Sequence, residues 1–500
     1  MMSPERGQQV RDAQEQPLEP ALKKASHFQD LACSSETKLR FFLYVVSGYL
    51  LLWVAVLNAY PIFYYDSAMY LRASFTLRQP IFRSIGYSVF VRLVNLGSSP
   101  WVIVMAQSVI VIFILHSAFK LMARGLVPVK HMALVFLGLM LFVSFGTTLP
   151  WFVGQIMPDV FTGLTMLSFF LLLYDPTMKL ERSVFTCLVF CLSVGAHITH
   201  LLAVIVLLLV VVIFRASSAF REFWPARSMK GIVALVLIPT MTVAGLTALT
   251  NRRMGFGFTL SPGRNIFLFA RLMESGLAPA YLRQRCKTEE LTPCKYLNNL
   301  PPTANHLLWS SYPLLNEMGG WYGARGEASK IVSATVRYNP VGFVEECVKQ
   351  MFRQFVKFAP GVENEPLQND SSLADFRELY PGEMPRFVLS RQSVGKLVKD
   401  GNRVASVYAA VFWCSLGLSL IALFARRLRT RMANQLFVLT LVFLFANAMA
   451  TGALSCVIDR YQARASWLMA MCCIAYVVPV LAQWRNGGRV PAGASGTYET

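Results

Sequence analysis

Two isolated acids stand out in an otherwise apolar sequence. Asp66 lies in Tyr64-Tyr65-Asp66-Ser67-Ala68-Met69-Tyr70-Leu71 and is the one acid between Arg40 and Asp159. Arg72, Arg78, Arg83 and Arg92 follow in the same loop. A carboxylate beside a membrane surface can serve as a general base, and arginine offers a planar fork suited to phosphate. The arginines equally fit headgroup contact by an amphipathic helix lying on the membrane, with Arg83 the best candidate for a ligand. Asp159, in Gln155-Ile156-Met157-Pro158-Asp159-Val160, sits where an ionisable group is costly and by default marks a site facing a bundle interior. A hydrogen-bonded Asp at a helix start is the plainer reading. In Cys456-Val457-Ile458-Asp459-Arg460-Tyr461, Asp459 and Arg460 either pair with each other or leave Arg460 to hold a phosphate beside Tyr461. His197 and His200 are spaced to share a helix face, yet no Cys or carboxylate near them in sequence completes a metal site.

These groups need elements to hold them. The 500 residues are 55% hydrophobic and 15% charged, against about 25% charged in soluble domains. The apolar residues gather into runs near the roughly 20 residues that a helix needs to cross a bilayer. Backbone groups in lipid must pair within the segment, so helices are expected. The net charge of +20 fits Lys and Arg collected in cytoplasmic loops, and no nucleic-acid partner is implied. No Gly-rich phosphate loop, zinc-finger spacing or nucleophile elbow is present.

The expected fold is an all-α polytopic membrane protein with about ten transmembrane helices. The spans are placed at 40–60, 101–119, 132–148, 152–174, 183–196, 199–214, 231–250, 404–425, 433–455 and 465–484. Gly195-Ala196-His197 divides the fifth from the sixth. That division keeps Lys120, Arg124, Lys130, Lys179, Arg182, Arg215, Arg221, Arg227 and Lys230 inside, together with Arg426, Arg427, Arg429 and Arg431. Residues 1–39 and 485–500 then form cytoplasmic tails. Residues 40–250 form a seven-helix region with a first outside loop at 61–100, and 404–484 form a three-helix region. Between helices 7 and 8, residues 251–403 form a mainly helical extracytoplasmic domain, helical over 329–358 and interrupted near 300–302, 360–369 and 381–385. Cys286 and Cys294 are a close pair there, able to form a disulfide in an oxidising compartment. Asn369-Asp370-Ser371 is a glycosylation sequon, meaningful in a eukaryotic lumen.

Together, Tyr65-Asp66-Ser67-Ala68-Met69-Tyr70, Arg83-Ser84-Ile85-Gly86-Tyr87, Pro158-Asp159 and Arg460-Tyr461 resemble elements of the polytopic C-type (GT-C) membrane glycosyltransferases. The resemblance is to the bacterial relatives of protein mannosyltransferases and of the aminoarabinose transferase acting on lipid A. It covers roughly the first 200 and last 100 residues. The long domain lies between spans, whereas many family members carry it after the last one.

The resemblance implies an inverting glycosyltransferase of the bacterial inner membrane. Its donor would be a polyprenyl-phosphate-linked sugar, and its acceptor an envelope glycan, a lipid or a protein. Asp66 and Asp159 become the catalytic candidates, with Asp66 the base and Asp159 orienting the acceptor or sharing a divalent cation. Tyr70, Arg83, Tyr87, Arg460 and Tyr461 become the substrate-binding candidates. No cofactor is required beyond that cation, which family members use variably, and no metal ligand can be named. Two other classes fit the pattern. One is an O-antigen ligase or polymerase, drawing on Arg271, Arg283 and His306; the other is a transporter or flippase of lipid-linked saccharide.

Overall fold

The computed structural model describes residues 38–39, 41–78, 82–95, 97–360, 364–367, 370–425, 428 and 430–485. Residues 1–37 and 486–500 of the tails, Asn369 of the sequon, and Arg426, Arg427 and Arg429 lie outside the described residues. Among those described the chain is helical and contains no strand. Residues 254–395, between the tenth and nineteenth helices, are called the outer region for their place outside those two long helices in sequence; the helices before it are α1 (Phe41–Leu57), α2 (Ser67–Thr76), α3 (Gly86–Asn95), α4 (Pro100–Met122), α5 (Val129–Gly146), α6 (Leu149–Val153), α7 (Val160–Tyr174), α8 (Leu180–Ala196), α9 (Ile198–Ala216) and α10 (Met229–Arg253). The outer region adds α11 (Arg264–Glu274), α12 (Leu277–Arg285), α13 (Ala304–Trp309), α14 (Leu314–Glu317), α15 (Gly320–Tyr338), α16 (Pro340–Phe355), α17 (Asp370–Leu379) and α18 (Met384–Val388). The chain closes with α19 (Lys396–Phe424), α20 (Arg431–Ala453) and α21 (Asp459–Arg485).

Six of these, α4, α9, α10, α19, α20 and α21, are long and apolar enough to cross a membrane. Helices Phe41–Leu57, Lys130–Gly146 and Val160–Tyr174 are apolar but shorter. Val109, Leu209, Met241 and Leu418 point outward and exposed from the long helices, as expected of surfaces that face lipid rather than water.

Local chemistry sets the breaks. Ser99 caps α4 and Pro100 opens it, a position where the missing N–H costs nothing. At His197 the backbone is extended, so α8 ends and α9 begins there. Pro239 in α10 cannot bond back to Leu235, and the chain widens into a π-turn over Val233–Leu237. The Leu235 carbonyl faces the Cys187 thiol at 3.9 Å instead. The helical stretch expected over 329–358 is divided at Asn339-Pro340, where the Asn339 side chain accepts from Gly342 N at 2.9 Å.

Helix α7 is the hub. All of its residues are buried, and α4, α8, α9, α20 and α21 pack around it. An all-round apolar helix belongs in such a centre. Between lipid-embedded helices close packing replaces the hydrophobic effect, so small residues matter. A Cβ at Gly163 would overlap the Trp467 ring, so glycine there lets α21 lie directly on α7.

The outer region divides its apolar residues between two cores. Ile266, Phe269, Leu282, Leu307, Leu314 and Ile331 form a separate cluster that Cys456 joins from the bundle side. Phe355, Phe376, Tyr380, Phe387 and Leu397 belong instead to the bundle's own core. Helix α19 runs unbroken through position 404, where the domain boundary was expected, because α-helical hydrogen bonding continues from Lys396 to Phe424. Cys286 and Cys294 are joined in a disulfide.

Arg271, almost fully buried, is held by Glu274 at 3.0 Å and Glu346 at 2.6 Å, tying α11 to α16. Burial alone would raise the Glu346 pKa, but hydrogen bonds from Arg271 and Gln350 outweigh it and hold it below the usual glutamate value. A depressed carboxylate contributes stability above its unfolded pKa and loses it as pH falls through the folded one. Glu346→Gln should therefore lower stability by about 1–3 kcal/mol at neutral pH. The difference from the parent should shrink below about pH 4.3. Thermal unfolding in detergent across pH checks this; a difference independent of pH would refute it.

Candidate functional site

The two acids are brought together by backbone. Ile62 N donates to Gly154 O at 2.8 Å, and Ile156 N donates to Ile62 O at 3.0 Å, forming a lone parallel β-bridge between Ile62 and Gln155. Asp66 and Asp159 each lie four residues beyond their half of this bridge. The Ser67 hydroxyl adds a bond to Ile156 O at 2.9 Å. Buried side chains complete the fixation. Gln392 bonds both Phe63 N, at 3.0 Å, and Phe63 O, at 2.5 Å, standing in for a neighbouring strand. Gln107 donates to Val153 O at 2.9 Å and Gln155 O at 3.0 Å while accepting the Tyr87 hydroxyl at 2.7 Å.

Asp66, at the start of α2, is largely buried and receives Arg83 at 2.6 Å. The Arg83 guanidinium lies 5.0 Å from the Phe82 ring centre and 5.6 Å from that of Trp309, so the outer region covers it. Its placement depends on the turn before α3. The Ser84 hydroxyl bonds Gly195 O at 2.5 Å, and a Cβ at Gly86 would strike that same carbonyl group. Glycine at position 86 is thus what allows the Arg83 turn to meet the end of α8. Burial opposes the charge on Arg83, but the Asp66 carboxylate overrides it and the pKa rises, so the group stays cationic. Tyr70 and Tyr87 are buried with rings 5.1 Å apart, and burial pushes both phenols up. They support the Asp66 segment from beneath.

Asp159 begins α7, where the helix dipole favours negative charge. Arg464 reaches it at 2.9 Å and Arg460 at 3.7 Å, and all three side chains are buried. Arg464 also bonds Asn447 at 3.1 Å and Thr199 at 3.3 Å. The Arg460 guanidinium lies 3.7 Å from the centre of the Tyr64 ring, and Tyr461 stands 5.5 Å from Arg460 and 5.3 Å from Arg464. Asp459 turns away and accepts from Ala359 N at 3.1 Å. Its ion-pair partner among the described residues is Lys357, at 4.0 Å.

Arg464 and its partner Asn447 were not singled out in the sequence, although Arg460 and Arg464 stand one helical turn apart on α21. Tyr64 and Trp309 were likewise indistinguishable from other aromatics. Of the loop arginines, Arg72 pairs with Asp375 and Glu378 on α17, and Arg92 donates to Ser74 O at 2.9 Å and Phe75 O at 3.0 Å. Both join protein to protein.

The histidines are occupied by hydrogen bonds. His200 meets Thr162 at 2.8 Å and Ser193 O at 2.6 Å, and His197 meets Thr199 at 2.8 Å. No group of three or more His, Cys, Asp or Glu placed to hold a metal occurs among the described residues. A cation shared by Asp66 and Asp159 does not fit this donor set. Each carboxylate already receives a guanidinium, and the two acids face Arg83, Arg460 and Arg464. A cavity of about 30 Å³ opens beside Arg83 and Ser84, with His197, Thr247 and Asn251 in its wall. The buried Nε of Arg83 finds no hydrogen-bond partner among the described residues.

No family profile, curated protein or solved structure matches this chain.

The Asp159–Arg464 pair should behave as a unit. Removing one partner of a buried pair leaves an uncompensated charge and costs about 3–5 kcal/mol. Asp159→Asn and Arg464→Gln should each destabilise the protein strongly, and the double variant by less than their sum. A double-mutant cycle in detergent measures the coupling; strict additivity would mean that the pair contributes nothing.

Proposed function

We propose that this chain is an inverting membrane glycosyltransferase that moves a sugar from a polyprenyl-phosphate donor to an extracytoplasmic glycan, lipid or protein acceptor. The observation that supports the reading most is the pairing of Asp66 with Arg83 beside a cavity. A potential general base and a phosphate-binding cation are held 2.6 Å apart, with a guanidinium N–H left over.

In the proposed reaction the acceptor hydroxyl oxygen attacks the anomeric carbon from the face opposite the phosphate. Asp66 takes the hydroxyl proton. The bond from the anomeric carbon to the phosphate oxygen breaks, and the departing phosphate keeps the electron pair. Arg83 stabilises that growing negative charge. Asp159 is a positioning residue, since its carboxylate is enclosed by the two arginines that it orients. Tyr70, Tyr87 and Tyr461 hold the framework around the pair. The ligase-like alternative is disfavoured by the buried ion pairs of Arg271.

The proposed topology has ten spans, with α1, α5, α7 and α8 completing the set begun by the six long helices. Both termini are cytoplasmic, and 251–403 faces the outside of a bacterial inner membrane. Support comes from the basic residues at the ends of α4, α7 and α9, and from the Cys286–Cys294 disulfide, a bond favoured in oxidising compartments.

Two experiments test this. Asn298, exposed in the outer region, replaced by cysteine should react with a membrane-impermeant thiol reagent in intact cells, beyond any labelling of the parent. Labelling only after lysis would overturn the topology. Asp66→Asn should reduce sugar transfer by about 10²–10⁴-fold, the usual contribution of a general base. Donor binding should be kept. Transfer is measured with purified protein and polyprenyl-phosphate donors over a panel of acceptors, and parent-like turnover by the Asn variant would remove Asp66 from the mechanism.

A further inference from the structure

A second cluster of charge lies at the opposite end of the bundle. The acids start α2 and α7, whereas this cluster surrounds the C-terminal ends of α4 and α7 and the start of α8. The 15 residues of α7, which join Asp159 to Asp175, separate the two regions by about 23 Å. Lys120, Arg124, Lys179 and Arg182, with Asp175 and Thr177, line a cavity of about 360 Å³. That lies within the range of small-ligand sites, about 300–1,000 Å³.

Asp175 does not neutralise the group. Its Oδ1 accepts Arg124 at 3.0 Å, Thr177 N at 3.2 Å and the Thr177 hydroxyl at 2.9 Å. Arg227 braces the same turn from behind, donating to Leu172 O at 3.2 Å and Asp175 O at 3.1 Å. Asp175 thus orients Arg124 and stiffens the turn that presents Lys179 and Arg182. Lys120, Lys179 and Arg182 have no carboxylate partner within ion-pair distance among the described residues. Topological bias requires only that basic residues lie near the helix ends. It does not require residues far apart in sequence to converge on one cavity, where their mutual repulsion is unfavourable. A bound anion offsets that repulsion.

We propose that this cleft binds a phosphate group, presented by an anionic lipid headgroup or by a free phosphate anion, on the membrane face opposite the Asp66–Arg83 site. Basic pockets between helices suit such headgroups. The site stands independently of the glycosyltransferase reading, since none of its residues belongs to the acid–arginine cluster.

The test uses the full-length protein in neutral detergent and in phosphatidylcholine nanodiscs. Native mass spectrometry and thermal unfolding report binding of phosphatidylglycerol in one arm, and of inorganic phosphate and pyrophosphate in the other. The Lys179→Gln/Arg182→Gln variant should bind the preferred anion roughly 25-fold more weakly, at about 5-fold per surface charge. Arg221→Gln, outside the cleft on the same face, should bind like the parent. Preference for phosphatidylglycerol assigns the site to lipid, and preference for phosphate or pyrophosphate assigns it to a soluble anion. If the double variant unfolds at a lower temperature without ligand, Lys120→Gln is read in its place. Equal binding by parent and cleft variants in every arm, or equal loss in Arg221→Gln, would overturn the proposal.

Discussion

A carboxylate enclosed at the tip of a wholly buried helix must be compensated, and in this protein the compensation organises that end of the bundle. Asp159 stands at the start of α7 with Arg464 at 2.9 Å and Arg460 at 3.7 Å. Taking such ions from water carries a penalty of several kcal/mol each, so both the geometry and the remaining hydrogen bonds must be supplied by neighbours. Asn447 and Thr199 supply them from α20 and α9, and Asn447 also bonds Tyr461 O at 2.7 Å and Gln462 at 2.8 Å. Four helices therefore meet at one ion pair. The Ile62–Gln155 bridge then transmits that rigidity to the Asp66 segment.

The two acids consequently differ in character although both pair with arginine. Asp159 is sealed beneath protein on every side, and its partners spread the charge over a network. Among the described residues Asp66 has one guanidinium partner, Arg83, and that guanidinium borders a cavity and the aromatic faces of Phe82 and Trp309. Trp309 comes from the outer region, so closing over Arg83 depends on how that region docks.

Docking in turn rests on the divided outer core. The half around Ile266 and Ile331 packs on itself, with Arg271 paired inside it, while the half around Phe355 and Phe376 is continuous with the first loop and the bundle. The latter half carries Gln392, whose side chain fixes Phe63 just ahead of Asp66. The outer region thus acts through two separate connections, one fixing the backbone below the site and one covering it.

Membrane-type helices, their approximate places, the break at His197 and the chemical suspicion attached to Asp66, Arg83, Asp159 and Arg460 were legible in the residues. The reason is that lipid imposes a one-dimensional rule: apolar runs, rare charges and punctuating Pro, Gly and His are local properties. Partnership was not legible. Nothing in sequence says that Arg460 faces Asp159 rather than adjacent Asp459, or that Arg464 is the nearer partner. Nor does it say that Arg83 turns to Asp66 while Arg72 turns to Asp375. Those choices depend on which helices lie side by side, and contacts across hundreds of residues are decided by close packing, such as Trp467 against Gly163. The same holds for Lys120 and Arg182, which read separately as topological charges and become one cleft only when α4, α7 and α8 are assembled.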